Sequence, residues 1–256
     1  MRDSMNFFSD VPGIFHFRLF GFWHIVLTIT MLLAMVLIYK YQEALRKWKY
    51  HDKAFRYIVA GIMFTNMAIY YGQKILDGTW SYKEHLPLHF CFISGYLFMY
   101  ALVTNHKSMF KFVYFFSFAG PLPAILLPDL TCGPDRFIFW QFFFSHHFFL
   151  TASIYVLYVL EWKIIYLEAF KAFIAANIMF ALVFGLNQVI GSNYIMTTRL
   201  PAHIMKLFPF LSYINIPILW LELAGVAACF IAFIPLFFLY RSKERIEDSS
   251  IIHQIS

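Results

Sequence analysis

The sequence predicts an all-α polytopic membrane protein, a seven-transmembrane-helix bundle, and three observations carry that reading. Hydrophobic residues make up 61% of the 256 positions and charged residues only 13%, whereas a soluble domain is about half apolar and about one quarter charged. Apolar runs long enough to cross ~30 Å of hydrocarbon recur along the chain. Lys and Arg are dense in alternate connecting segments, as the positive-inside rule requires of a multi-pass protein. One transmembrane domain over residues 1–256 is expected rather than two domains.

The opening segment, Met1–Arg18, is short and aromatic, and is expected at the membrane interface. It lacks a basic stretch followed by a short apolar core and a small-residue cleavage site, so it does not read as a signal peptide. Spans are predicted at Leu19–Ile38, Tyr57–Gln73, Leu86–Val103, Phe110–Leu127, Phe137–Leu160, Ala169–Ile190 and Ile214–Tyr240. In the fourth, Pro121 and Pro123 remove backbone donors and should kink or break the helix. The loop Gly191–Asn215 is long for a bundle. Its portion Met205–Tyr213, with Lys206 among aromatic and aliphatic side chains, is expected to lie flat at the interface.

The most basic loop, Lys40–Arg56, fixes the orientation. With that loop in the cytoplasm, 13 of the 20 Lys and Arg residues fall on the inner side. The N-terminus is then outside, and residues 241–256 form a cytoplasmic tail. The formal net charge of +6 follows from this asymmetry, and no basic, aromatic-interleaved surface suggests a nucleic-acid partner. Cys91, Cys132 and Cys229 do not make a disulfide framework.

Polar side chains are costly in hydrocarbon and tend to mark sites. Counting ~1.5 Å per residue, His24 sits ~8 Å into the first span, His89 ~5 Å into the third and His146 ~14 Å into the fifth. Glu222 sits ~12 Å into the seventh, and Asn187 ~5 Å from the outer end of the sixth. These groups therefore gather in the outer half, where Tyr70, Tyr71 and Gln73 also close the second span; Asn66 and Asn177 lie deeper. Helical spacing puts His85 and His89 on one face, and Gln141 and Ser145 on another, with His146 one step round. Cys91 is about 200° from His89 on the same helix, so a base for it must come from another span.

Each residue also has a purely structural reading. A lone intramembrane histidine such as His24 can simply bond a neighbouring helix, and Cys91 reads first as a small buried apolar residue. Glu222 requires a partner or a proton. Asp129, in a Pro- and Gly-rich outer loop, caps a turn or orients a histidine from above.

Several segments together carry a family resemblance: Phe20-Gly21-Phe22-Trp23-His24, Leu86-Pro87-Leu88-His89-Phe90-Cys91, Pro128-Asp129, the run from Phe139 to His146, and Asn187 followed by Gly191, Asn193 and Tyr194. From His24 to Pro201 the chain resembles the bacterial YwaF family of integral membrane proteins, itself similar to animal transmembrane protein 164, an acyltransferase on ether phospholipids. The resemblance implies seven spans, a bacterial plasma-membrane location and acyl chemistry on a lipid, with His89 and His146 at the family's two histidine positions. The animal enzyme's proposed nucleophilic cysteine directly precedes the first histidine, and Leu88 stands there in this chain.

Two function classes follow. In the first, a lipid-modifying enzyme, the catalytic candidates are His89, His146, Cys91 and Ser145, with His146 or His89 as general base. Gln141, Asn187 and Asn193 would then meet an oxyanion, and His24, Glu222 and Asp129 complete the substrate site. Its partners are membrane lipids and an acyl donor, and no cofactor is expected. In the second, a transporter or binding protein, the same outward-facing pocket takes a small polar solute or lipid. A three-imidazole metal site at His24, His89 and His146 has the right donor set but no supporting spacing.

Overall fold

The computed structural model describes residues 6–47, 52–214 and 216–255, with side chains described as far as Arg241. The first five residues of the expected interfacial segment, positions 48–51 of the basic loop, Asn215 and the side chains of most of the tail lie outside the described residues. Each predicted span coincides with a helix. These are α1 (Phe22–Lys40), α3 (Asp52–Leu76), α4 (Phe90–Thr104), α5 (Lys107–Ala119) with α6 (Pro121–Leu126), α7 (Phe137–Tyr158), α8 (Leu167–Ile190) and α10 (Pro217–Ile255). The short helices α2 (Gln42–Arg46) and α9 (Ala202–Leu207) lie in loops, and no strand forms among the described residues.

Among the described residues, four helices are long and apolar enough to cross a membrane: α1, α5 continued by α6, α8, and α10 as far as Arg241. At 15 residues α4 is apolar but short. Helix α7 has the length, at 22 residues, but Gln141, Ser145, His146 and His147 interrupt its apolar surface.

Burial ranks the helices. Half of the α5–α6 window is buried, against 11% for α1 and for α8, so α5 is the centre and α1 and α8 face outward. The run Val113–Phe118 on α5 is buried on every side, as befits a helix surrounded by others. The Tyr114 hydroxyl donates to the Ala232 carbonyl on α10 at 2.8 Å. Tyr158 on α7 donates to the carbonyl of Pro235, inside the same helix, at 2.6 Å.

One expectation about the helices needs correction. The third helix begins at Phe90, not at Leu86. Pro87 disfavours helical backbone at Leu86, the Leu88 N–H turns back to the Leu86 carbonyl at 2.7 Å, and His89 is an extended N-cap residue. Helical spacing therefore does not relate His85, His89 and Cys91. The fourth predicted span is broken at Gly120 into α5 and α6, as its prolines required. The segment predicted flat at the interface contains the last part of α9 and a short 3₁₀ turn at Pro209–Ser212.

Two sets of loops close the two ends. At one end the guanidinium of Arg46 donates to the Tyr158 carbonyl at 2.9 and 2.7 Å, and Arg56 donates to the Leu102 carbonyl at 2.6 Å. Both cations thus meet carbonyls in the last turns of α7 and α4, that of Leu102 also accepting the Asn105 N–H at 3.4 Å. At the other end the N-terminal segment is laced to the α6–α7 loop. Phe17 N–H bonds the Thr131 carbonyl at 3.1 Å, Gly133 N–H the Phe15 carbonyl at 2.9 Å, and Phe137 N–H the Phe7 carbonyl at 2.7 Å. Lys74 pairs with Asp10, and Gln73 donates to the Phe8 carbonyl. This lacing sits over the ends of α3 and α7 that carry the polar residues.

Candidate functional site

The site centres on two turns of α7, from Gln141 to His147, which present polar groups in two directions. Successive residues on a helix are about 100° apart, so His146 and His147 cannot face the same space. His147 and Gln141 border a cavity of about 540 Å³ walled by α1, α3 and α7. Its lining is apolar except for Thr30, Asn66, Gln141, His147 and Thr151. Gln141 donates to the Asn66 side-chain oxygen at 3.2 Å, which leaves its second amide hydrogen. The His147 Nε2 is buried and has no hydrogen-bond partner. Buried polar atoms are normally paired; this nitrogen is closed off from the groove as the ring stands, and only a turn of the imidazole would offer it to a ligand.

His146 is buried on another side of the helix. Its Nδ1 lies 2.7 Å from the Phe142 carbonyl, and Ser145 Oγ donates to that carbonyl at 3.0 Å and lies 3.4 Å from the same ring nitrogen. The Phe142 ring packs against the imidazole with centroids 4.3 Å apart.

His89 has a different surround. It accepts the Ile195 N–H at 3.5 Å and meets the Tyr194 ring edge-on with centroids 5.1 Å apart. No bond or ring contact joins His89 to His146 among the described residues. Cys91 lies two residues further along, in the first turn of α4, partly buried and outside any disulfide.

The remaining candidates are held by structural bonds. Both ring nitrogens of His24 are engaged, Nδ1 by the Phe20 N–H at 3.0 Å and Nε2 by the Ile125 carbonyl at 2.8 Å. It therefore has no nitrogen left for a metal or a substrate. Asn187 spends its amide hydrogens on the Tyr194 carbonyl at 2.9 Å and on Thr197 Oγ1 at 2.8 Å, while its oxygen accepts from Tyr194 N–H at 2.9 Å and from Ser192. Asn193 closes the next turn through the Arg199 carbonyl and the N–H groups of Thr198 and Arg199. Glu222 accepts from Asn177 on α8 at 3.3 Å through Oε2, while its buried Oε1 has no hydrogen-bond partner. Asp129 does orient a histidine, but that residue is His203 on α9, 3.2 Å away.

Sequence reasoning gave no role to His147 or His203, and noted Asn66 only as a deeper polar residue outside the outer group. Helical phase could have separated His147 from His146, since both stand in the same apolar run. The pairing of Asp129 with His203 joins distant loops and left no trace in spacing.

Apolar helices with a polar turn buried among them define an integral membrane protein. The chain belongs to the TMEM164 family, whose model matches residues 19–233. Neither the curated proteins nor the solved structures gave a match.

Proposed function

We propose that this chain is a membrane-embedded, lipid-modifying enzyme of the acyl-transfer type, crossing a bacterial plasma membrane seven times with its N-terminus outside. It seats a lipid acyl chain in the groove between α1, α3 and α7. The observation that carries the reading is the apolar groove itself, with Gln141 and His147 in its wall and the His147 Nε2 unpartnered just behind it, where a turn of the ring would bring it to a ligand. An unpaired polar atom in hydrocarbon costs on the order of several kcal/mol. A lipid's own polar group would offset that cost, while the apolar lining takes its chain. The basic Lys40–Arg56 loop and the alternation of charge support the orientation.

In the chemical step, an imidazole of the α7 pair takes a proton from a lipid hydroxyl or a water. The freed oxygen forms a bond to the ester carbonyl carbon, and the bond from that carbon to the leaving oxygen breaks. The leaving oxygen receives the proton back. No electrons are exchanged with any partner. The second amide hydrogen of Gln141 meets the oxygen on which charge develops. Cys91 stays outside this scheme: among the described residues no hydrogen bond joins its thiol to a histidine.

The test is mass spectrometry of phospholipid acyl composition with the purified protein in nanodiscs. Wild type is expected to redistribute acyl chains, and His147→Ala and Gln141→Leu to lower turnover at least about 100-fold. Unchanged lipid composition with wild type, together with protein-dependent solute uptake in liposomes, would favour the transport reading instead.

A further inference from the structure

The groove between α1, α3 and α7 has a closed top and an open side. Phe137, in the first turn of α7, lines its upper end. The N-terminal segment lies across that end. The Phe137 N–H bonds the Phe7 carbonyl at 2.7 Å, and the rings of Phe7 and Phe8 pack on the Phe137 ring with centroids 6.2 and 5.2 Å apart. The same stretch is fastened to the end of α3, where Gln73 donates to the Phe8 carbonyl and Lys74 pairs with Asp10. Beside it, Trp23 of α1 meets Trp140 of α7 edge-on at 5.7 Å, and the Trp140 indole N–H donates to the Pro134 carbonyl at 2.7 Å. Aromatic rings anchored by hydrogen bonds thus bridge α3 to α7, and α1 to α7, above the cavity.

The side is different. Helices α1 and α3 both pack along α7 but hardly on each other, so α7 forms the floor of a slot between them. Trp140 and Phe144 line the slot and are 37% and 44% exposed, and Thr30 on its α1 rim is exposed too. Around helices that cross a membrane, the space beyond that rim is hydrocarbon. We propose that the slot is a lateral entrance: one acyl chain of a bilayer lipid slides in between α1 and α3, and residues 7–10 form a roof that shuts the slot to the aqueous phase. A floor of Phe143, Phe144 and Phe148 holds such a chain by apolar contact area, whereas a water-soluble ligand has no route past the roof. Gln141 stands one turn, about 6 Å, below Phe137. A lipid with its headgroup beside the roof therefore sets its ester linkage near that amide, and its tail runs down toward Thr151.

The choice of a lipid chain as occupant rests on the lipid-modifying reading; the roof and the side opening do not. The experiment places the full chain in nanodiscs containing a phospholipid with a diazirine at the end of one acyl chain. Irradiation should cross-link that lipid to the slot, at Leu27, Phe144 or Phe148, as well as to the exposed Leu182 on α8. Cross-links on α8 with none in the slot overturn the proposal. The roof is tested from the water side with a charged, membrane-impermeant thiol reagent, which reaches both faces of a nanodisc. Leu27→Cys, one turn below Trp23, is read against wild type to subtract the native thiols. It should react at least about tenfold faster once Phe8→Ala and Asp10→Ala loosen the roof. Should that variant fail to fold, Gly133→Ala takes its place, since its Cβ would strike the Phe15 carbonyl and free the same segment from its other attachment. Equal rates with and without the roof overturn the proposal. Slot cross-links without lipid turnover would keep the entrance and overturn the acyl-transfer reading alone; turnover with an unlabelled slot would do the reverse.

Discussion

Asn187 holds Tyr194 by both ends of its main chain, accepting its N–H at 2.9 Å and donating to its carbonyl at 2.9 Å. Side chains seldom satisfy a buried residue in this way, and here the arrangement stands in for regular structure after α8 ends at Gly191. Asn187→Ala would leave the Tyr194 N–H and carbonyl and the Thr197 hydroxyl without it. Each orphaned buried group costs about 1–3 kcal/mol, so the variant should lose several degrees of Tm in detergent, read by thermal unfolding. Asn187→Asp keeps the acceptor and loses both donors, and should fall between.

The lacing of the N-terminal segment depends on one close approach. A Cβ at Gly133 would lie 2.5 Å from the Phe15 carbonyl oxygen, a backbone atom that cannot rotate aside. Gly133→Ala should therefore push the segment off the α6–α7 loop. Limited proteolysis within residues 6–20 would become faster than in wild type, while helical content by circular dichroism stays the same.

At the opposite end, Arg46 spans the loop before α3 and the end of α7, and it also pairs with Glu43 at 2.7 Å and Glu161 at 3.6 Å. Replacing it by methionine keeps the apolar stem and removes the donors to Tyr158. The expected loss is about 1–2 kcal/mol, the range for charge-assisted bonds that are partly exposed to solvent. Glu43→Gln, which touches only the exposed partner, should cost less; equal losses in the two variants would mean that the helix-end bonds add nothing.

His85, in the loop leading to α4, accepts the Ser81 N–H and is held below its ordinary pKa first by burial and then by the charge of Lys74, with Glu84 acting in the opposite sense. Because the folded value is depressed, its contribution to stability is fully present above about pH 6.5, the unfolded value, and is lost as pH falls through the folded one. Thermal scans between pH 7.5 and 5 should show a steeper loss of Tm in wild type than in His85→Asn, which keeps an acceptor and does not titrate.

Much of the fold was legible because the hydrocarbon core imposes both length and composition on a span. The ends of α1, α3, α7 and α8 follow from where apolar runs meet charge, and Pro121 and Pro123 marked the break between α5 and α6. Leu86–His89 misled because an apolar run containing one proline reads as a helix opening. A two-residue turn with the same composition differs only in how the Leu88 N–H is used. Residue choice in the site was legible on α7 and less so elsewhere. Asn187, Asn193 and His24 are polar and buried, as a binding site would have them, yet their hydrogen-bonding capacity is spent on backbone. That spending depends on which loops meet, which periodicity does not encode.

The phenols of Tyr114 and Tyr158 reach carbonyls three residues apart on α10, at Ala232 and Pro235, so they grasp one side of that helix. The two hydroxyls therefore fix the rotation of α10 against α5 and α7, since turning that helix about its axis would withdraw both carbonyls together.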